Sequence, residues 1–294
     1  MADTQRQPIS VILCADDYAI APGVSRAILD LIDRGRLSAT SCMAASRFWP
    51  EHAEWLRSRI GRADIGLHLT LTDAAPLSAM PQLAPAGRLP SLGRLLALAE
   101  LRRLDRSEVE REVDSQINRF ISGLGRAPDY VDGHLHVHQL PIVREVVVDR
   151  IRRSLPRAYI RVCDEPVTAI LRRGIAVRRA IVISALGRGL RRRVDAAGIP
   201  ANRRFAGVRD FDEKVPYRDL VRAFLRDAPD GLLVMCHAGL ADAELAAADR
   251  ITTAREEEFR YLASDAFESD LAEAGVTLST FSAAGSPGRS SAPG

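Results

Sequence analysis

Lysine is almost missing from this chain: of its 41 basic residues, only Lys214 is a lysine. Arginine replaces it along the whole length and not in one patch, which reads as a bias of composition. With a net charge of only +3 over 294 residues, no nucleic-acid partner is implied. Aromatic residues are scarce too, at 5%, so a long row of stacking platforms for a polysaccharide is not expected. Cysteine is limited to Cys14, Cys42, Cys163 and Cys236, each in an apolar run. No Cys-x-x-Cys pair occurs, which argues against a cysteine zinc site and leaves buried, reduced thiols. No hydrophobic run reaches the length of a membrane span, and Met1 to Pro8 contain no apolar signal core, so the expected location is the cytoplasm. What remains is 47% hydrophobic and 27% charged in both signs, enough for a large core and too balanced for disorder.

Apolar runs of strand length alternate with longer amphipathic segments, the pattern of βα units around a parallel sheet. Strands are expected at Ile9 to Ala15, Ser38 to Ala44, Asp64 to Thr72, Tyr130 to His134, Ala158 to Val162, Arg203 to Val208, Leu232 to Cys236 and Val276 to Leu278. Pro22 sits at a helix start whose stripe Val24, Ile28, Leu31 and Ile32 stops at Gly35. A second helix is expected from Pro50 to Arg59. Ser107-Glu-Val-Glu-Arg-Glu opens a third, with acids in its first turn. From Asp73 to Asp105 the chain turns irregular, with Pro76, Pro81, Pro85 and Pro90, as a lid or substrate wall over a barrel mouth would. No internal repeat and no linker is evident. The expected fold is α/β: one (β/α) barrel over residues 1–282, TIM-barrel-like but irregular, with a long insertion after the third strand. A disordered tail is expected over 283–294.

Five of the six histidines fall at three expected strand ends, and Asp16-Asp17 at a fourth. A parallel α/β protein gathers its strand ends on one face, so these groups can converge on one pocket. Carboxylate plus imidazole is a ligand set for a divalent ion that activates water, which points to a metal-dependent hydrolase. Asp16 and Asp17 repel one another unless a cation or a proton intervenes, although one of them could instead cap the next helix. His68, in Gly-Leu-His-Leu-Thr, would read alone as a core group. His134, His136 and His138 alternate; on a strand, residues two apart lie about 6.6 Å apart on one side, which nominates His134 and His136 as a metal pair. A solvated histidine-rich loop is the bland alternative. His237 has no second ligand beside it and suits a proton donor better than a ligand, or else caps the following helix.

Four motifs in order then carry a resemblance: Ala15-Asp-Asp-Tyr, Gly66-Leu-His-Leu-Thr-Leu-Thr, Tyr130-Val-Asp-Gly-His-Leu-His-Val-His-Gln-Leu-Pro, and Val234-Met-Cys-His-Ala-Gly followed by Arg255-Glu-Glu-Glu. Together with Gly35-Arg-Leu-Ser-Ala-Thr-Ser and Pro76-Leu, the chain from about residue 9 to 281 resembles the YdjC-like carbohydrate deacetylases, the ChbG/HpnK group. The resemblance implies a metal-dependent hydrolase on a (β/α) barrel that removes acetyl from an N-acetylated sugar or glycolipid. It implies one divalent ion, Mg²⁺ or Zn²⁺, held by Asp17, His68 and His134, with Asp16 as the base. It removes His136 from the ligands, against its spacing. His237 would protonate the departing amine, and Arg161, at the end of the next strand, would hold Asp16 as a carboxylate. His136, His138 and Tyr18 are expected against the substrate. Tyr18-Ala19 and Ala238 depart from the Phe-Gly and Pro common in the family, which touches substrate fit more than catalysis. An amidohydrolase- or phosphoesterase-type site on His134 and His136 stays open, as does an inactive carbohydrate-binding barrel. The arginine-rich stretch from Val167 to Val194 is expected to present a basic face to solvent, to a membrane surface as a peripheral contact, or to a second subunit in a homodimer.

Overall fold

The computed structural model describes residues 9–211 and 214–284. Among them, eight parallel strands carry the architecture: β1 (Ile9–Tyr18), β2 (Ala39–Cys42), β3 (Asp64–Leu69), β4 (Tyr130–Gly133), β5 (Tyr159–Ile160), β6 (Arg204–Ala206), β7 (Leu232–Cys236) and β8 (Val276–Leu278). Seven follow the order β5-β4-β3-β2-β1-β7-β6, and β8 joins the start of β1. The outer strand β5 meets the chain just ahead of β6 through an isolated bridge between Ile160 and Ala201. Asn202 stitches the same seam, accepting from the Val162 N–H at 2.7 Å and donating to the Val162 carbonyl at 3.0 Å. The result is the expected (β/α)-barrel-like fold, with one weak seam where a TIM barrel has a continuous ladder.

β1 is central, bonded to β2 on one edge and β7 on the other, and its run Val11-Ile-Leu-Cys-Ala is apolar and buried throughout, as for a parallel strand covered on both faces. It does not stop at Ala15. The strand continues to Tyr18, with its register against β2 broken between Ala15 and Tyr18, and Asp17 lies at φ 67° and Ala19 at φ 71°. A bulge re-aims side chains, and this is how two adjacent aspartates come to serve one site. The helix Pro22–Asp33 buries Val24, Ile28, Leu31 and Ile32 and closes on Gly35 at φ 69°. Gly66 on β3 is required by close approach, since a Cβ there would sit 2.3 Å from the Tyr130 ring.

Two stretches differ from expectation. Residues 73–105 are not irregular throughout, because Leu92–Glu100 is a helix. The remaining loop is held down by two buried glutamates of the helix Arg106–Leu124, which Asp105 caps. Glu112 accepts from the Leu77 and Ser78 N–H groups and the Ser78 hydroxyl, and Glu108 from the Gln82 and Leu83 N–H groups. Such a loop is a fixed wall and not a free flap. The arginine-rich stretch forms the helices Val167–Arg173 and Val177–Ala197. Its own sequence lacks acids, yet Arg173, Arg179, Arg191 and Arg193 find Glu165, Asp210, Asp164 and Glu145 on neighbouring segments. Much of its charge is therefore balanced locally, while Val167, Leu171 and Val182 stay exposed. No helix among the described residues is long and apolar enough to cross a membrane. Of the tail expected from 283, Ala283 and Ala284 end the short helix Phe281–Ala284 and the rest lies outside the described residues.

Candidate active site

The bulge at the end of β1 delivers Asp17, β3 delivers His68, and the turn after β4 delivers His134. One oxygen of Asp17, Oδ1, lies 2.9 Å from His134 Nδ1 and 3.3 Å from His68 Nε2. Its other oxygen takes a 2.6 Å bond from Arg255, which Asp249 holds at 2.6 Å in turn. Burial alone would raise the Asp17 pKa, but Arg255 and His134 outweigh it and hold the carboxylate well below its usual range. His68 is fixed from behind, its Nδ1 lying 2.6 Å from Asp132 Oδ1, so Nε2 points at Asp17. If Nδ1 carries the only imidazole proton, two lone pairs confront each other between Nε2 and Oδ1. Only a proton or a cation makes that contact attractive. Burial disfavours the imidazolium, yet Asp132, Asp16 and Asp17 outweigh it and push the His68 pKa up to about 10 in the metal-free chain. One ligand atom from each of Asp17, His68 and His134 lies within 4.8 Å of the others. Two imidazoles and one carboxylate, oriented from a second carboxylate, fit a divalent ion.

Cys14, Asp16 and Asp132 form a second convergent group, but a cation of the chain already fills it. Arg161, fully buried, places Nη1 2.6 Å from Asp16 Oδ1 and 3.1 Å from Asp132 Oδ2, and Nη2 2.9 Å from Asp16 Oδ2. The fork fixes both oxygens of Asp16; Oδ1 also meets the Cys14 thiol at 3.5 Å, so Oδ2 is the oxygen that keeps a further lone pair. Ser41 donates to Asp132 at 2.5 Å and completes the layer below the ligands.

His237 follows β7. Burial lowers its pKa to about 4, against the pull of Asp17 and Asp16, so its imidazole is neutral at pH 7. Its backbone N–H donates to Glu258 at 2.5 Å, and Arg209 lies 3.2 Å from the other oxygen of that carboxylate. Phe211 packs edge-on against the imidazole, the ring centroids 5.2 Å apart.

Of the three expected substrate contacts, His138 and Tyr18 are fully buried and His136 is half-buried beside Cys163. β4 ends at Gly133, and residues His134–Gln139 form a tight turn with Leu135 and His136 at φ 52° and 60°. The alternation that nominated His134 and His136 as a metal pair is therefore not strand alternation. His136 turns to Cys163, 3.5 Å from its Sγ, and packs on Phe205. His138 is fully buried with Nε2 2.8 Å from the Arg161 carbonyl, and it fixes the backbone that carries the Asp16 partner. Tyr18 is fully buried and spends its hydroxyl on the His52 carbonyl at 2.7 Å.

Asp132 and Arg255 sat inside motifs of the sequence without an expected role. Ser25 and His52 carried no signal at all. Ser25 Oγ accepts from the Ala19 N–H at 2.9 Å and lies 2.9 Å from His52 Nδ1, with the imidazole stacked between Phe48 and Trp55. This buried clamp holds the left-handed turn two residues beyond Asp17. Ser25→Ala is expected to weaken metal binding about tenfold, the order of one lost buried hydrogen bond, with a modest fall in Tm. Titration against a chromophoric chelator measures the first and thermal denaturation the second.

A model of the YdjC-like protein family matches residues 10–273. The chain belongs to the YdjC-like family. Within this family, the segment most similar to curated relatives covers about half of the chain. It is 34% identical over 145 residues to a chitooligosaccharide deacetylase of Enterobacter sp. (strain 638), covering 49% of this chain and 56% of that protein. It is 35% identical over 148 residues to the chitooligosaccharide deacetylase of Yersinia pestis (strain Pestoides F), covering 50% and 57%. The match thus spans a little over half the length of these relatives. In fold, an Enterococcus faecalis V583 protein provisionally named for cellobiose-phosphate cleavage superposes with a TM-score of 0.72 at 20% identity, over 94% of this chain and 99% of its own.

Proposed function

We propose that this YdjC-like chain is a metal-dependent N-deacetylase that removes acetyl from an N-acetylated sugar or glycolipid. The observation that carries the reading is the single Asp17 oxygen facing both His68 Nε2 and His134 Nδ1, beside an Asp16 carboxylate locked on Arg161. The curated relatives, named for chitooligosaccharide deacetylation, support the sugar class. Asp17, His68 and His134 would hold a divalent ion, which would supply Lewis-acid polarisation of the amide carbonyl and of the water. Two imidazoles favour Zn²⁺, and the carboxylate with a water-accessible mouth also tolerates Mg²⁺. Asp16 takes the proton of the water through the lone pair that Arg161 leaves unused on Oδ2. His237 passes the proton that Asp16 took from the water on to the departing nitrogen as the C–N bond breaks; because burial keeps the imidazole neutral at pH 7, it carries that proton during turnover and does not store one beforehand. Cytoplasmic location and action on a small glycan complete the reading. The alternative site on His134 and His136 loses its support with the turn of His136 towards Cys163.

Acetate release from a panel of N-acetylated sugars, chitooligosaccharides included, tests the reading. Activity is expected to vanish on chelation and to return with added Zn²⁺ or Mg²⁺. No acetate from any substrate by the metal-loaded protein would leave a barrel that binds without cleaving.

A further inference from the structure

We infer that the cavity beside His134 is a subsite for one neutral monosaccharide unit, gripped by Asp73 and Arg88. Which ring it holds, the one bearing the acetamide, rests on the deacetylase reading; the presence of the subsite rests on geometry. The cavity has a volume of about 270 Å³, and His134, Thr72, Asp73 and Arg88 line it together with Ile20 and Met43. That is below the size of pockets for drug-sized ligands and suits a single ring. No aromatic side chain other than His134 lines it, so the grip has to come from hydrogen bonds.

Asp73 and Arg88 stand at the neck of one loop. The Asp73 N–H donates to the Pro90 carbonyl at 3.2 Å and the Leu89 N–H to the Ala74 carbonyl at 2.8 Å, which pins the two limbs together. Asp73 is held at φ 51°, a left-handed conformation that non-glycine residues adopt rarely and that concentrates at ligand clamps. Opposite charges so placed normally pair. Here Asp73 and Arg88 form no ion pair within 4.0 Å with each other or with any other described residue, although both line the same cavity. An acceptor and a donor that line one cavity without pairing complement a polyol, and their charges cancel, which selects a neutral ring. Thr72 adds a buried hydroxyl that has no hydrogen-bond partner. Ile20 and Met43 offer apolar surface to the C–H groups of the ring. With His134 among the lining residues, a ring in the cavity lies next to the Asp17, His68 and His134 group.

Both charged side chains are exposed, so Asp73→Asn, Arg88→Ala and the double variant are expected to fold with unchanged metal content. Two readouts serve: binding of N-acetylglucosamine and N-acetylgalactosamine to the metal-loaded protein by titration, and KM and kcat for acetate release. Each single variant is expected to raise Kd and KM about tenfold, with kcat within about twofold, since these contacts serve ground state and transition state alike. Wild-type Kd and KM in all three variants would overturn the subsite, as would a wild-type protein that binds neither sugar. Weaker sugar binding in the variants of a protein that releases no acetate would keep the subsite and remove the deacetylase reading. Acetate release left untouched by the variants would do the reverse.

Discussion

His134→Ala is expected to fold and to lose its metal. Among the three proposed ligands, His134 alone has an appreciably exposed side chain, 22%, and it rests on Asp17 and not on a second buried carboxylate. Removing it strands no buried charge, because Arg255 still pairs Asp17. Changes behind a ligand commonly weaken metal binding 10- to 100-fold, so loss of a ligand itself should exceed about a hundredfold. Elemental analysis after dialysis reads the outcome, and full occupancy in His134→Ala would remove this residue from the site. His68→Ala is a harsher change, since it leaves Asp132 buried with Arg161 as its one remaining cation; His68→Gln keeps a donor towards Asp132 and is the better companion. The His68 proton adds a sign that can be checked. Its folded pKa is raised to about 10 from an ordinary 6.5, so its stabilisation of the metal-free fold is complete below about 6.5 and is lost as pH rises towards 10. A bound ion must displace that proton. Metal affinity should therefore climb about tenfold per pH unit between 7 and 9, with one proton released, and metal-free stability should fall over the same range. A flat affinity across those pH values would mean that His68 is neutral before the ion arrives.

The parts of this site that could be read along the chain are those whose signal is local. β7 and β8 begin and end where their apolar runs do, and the ligand-type residues stand at strand ends because a parallel sheet leaves them no other common face. The His134 to His138 alternation misled because period two is evidence of a strand only where backbone remains extended, and the left-handed pair Leu135 and His136 gives no sign of itself in residue type. The bulge at Asp16-Asp17 is hidden for the same reason. Asp132 is conspicuous as a residue, yet its work depends on the β3–β4 register, which sets it opposite His68. Arg255 reaches Asp17 across 238 residues of chain, a pairing that no local pattern encodes.

Asp16→Asn is expected to keep its metal and to lose activity by a factor of about 10² to 10⁴, the range for removal of a general base. The amide preserves the shape of the carboxylate but cannot take a proton from water. It also turns one of the two acceptors on Arg161 into a donor, and Asp132 is then the one carboxylate left to balance Arg161. Breaking one side of a buried pair costs up to about 3–5 kcal/mol, so Tm has to be measured beside the rate. Asp16→Glu separates the two effects, because it restores a base at the wrong reach while giving Arg161 its counter-charge again. If Asp16 matters only as a partner for Arg161, Asp16→Glu should recover stability and most of the activity together. If it is the base, stability returns and the rate stays low, because proton transfer needs a donor–acceptor distance of about 2.6–3.2 Å. Asp17→Asn completes the comparison and should show the opposite pattern, with metal lost first and activity as a consequence. Should Asp16→Asn shed the ion while Asp17→Asn retains it, the two aspartates exchange roles, and the bulge after Ala15 must turn the other carboxylate towards His68 and His134.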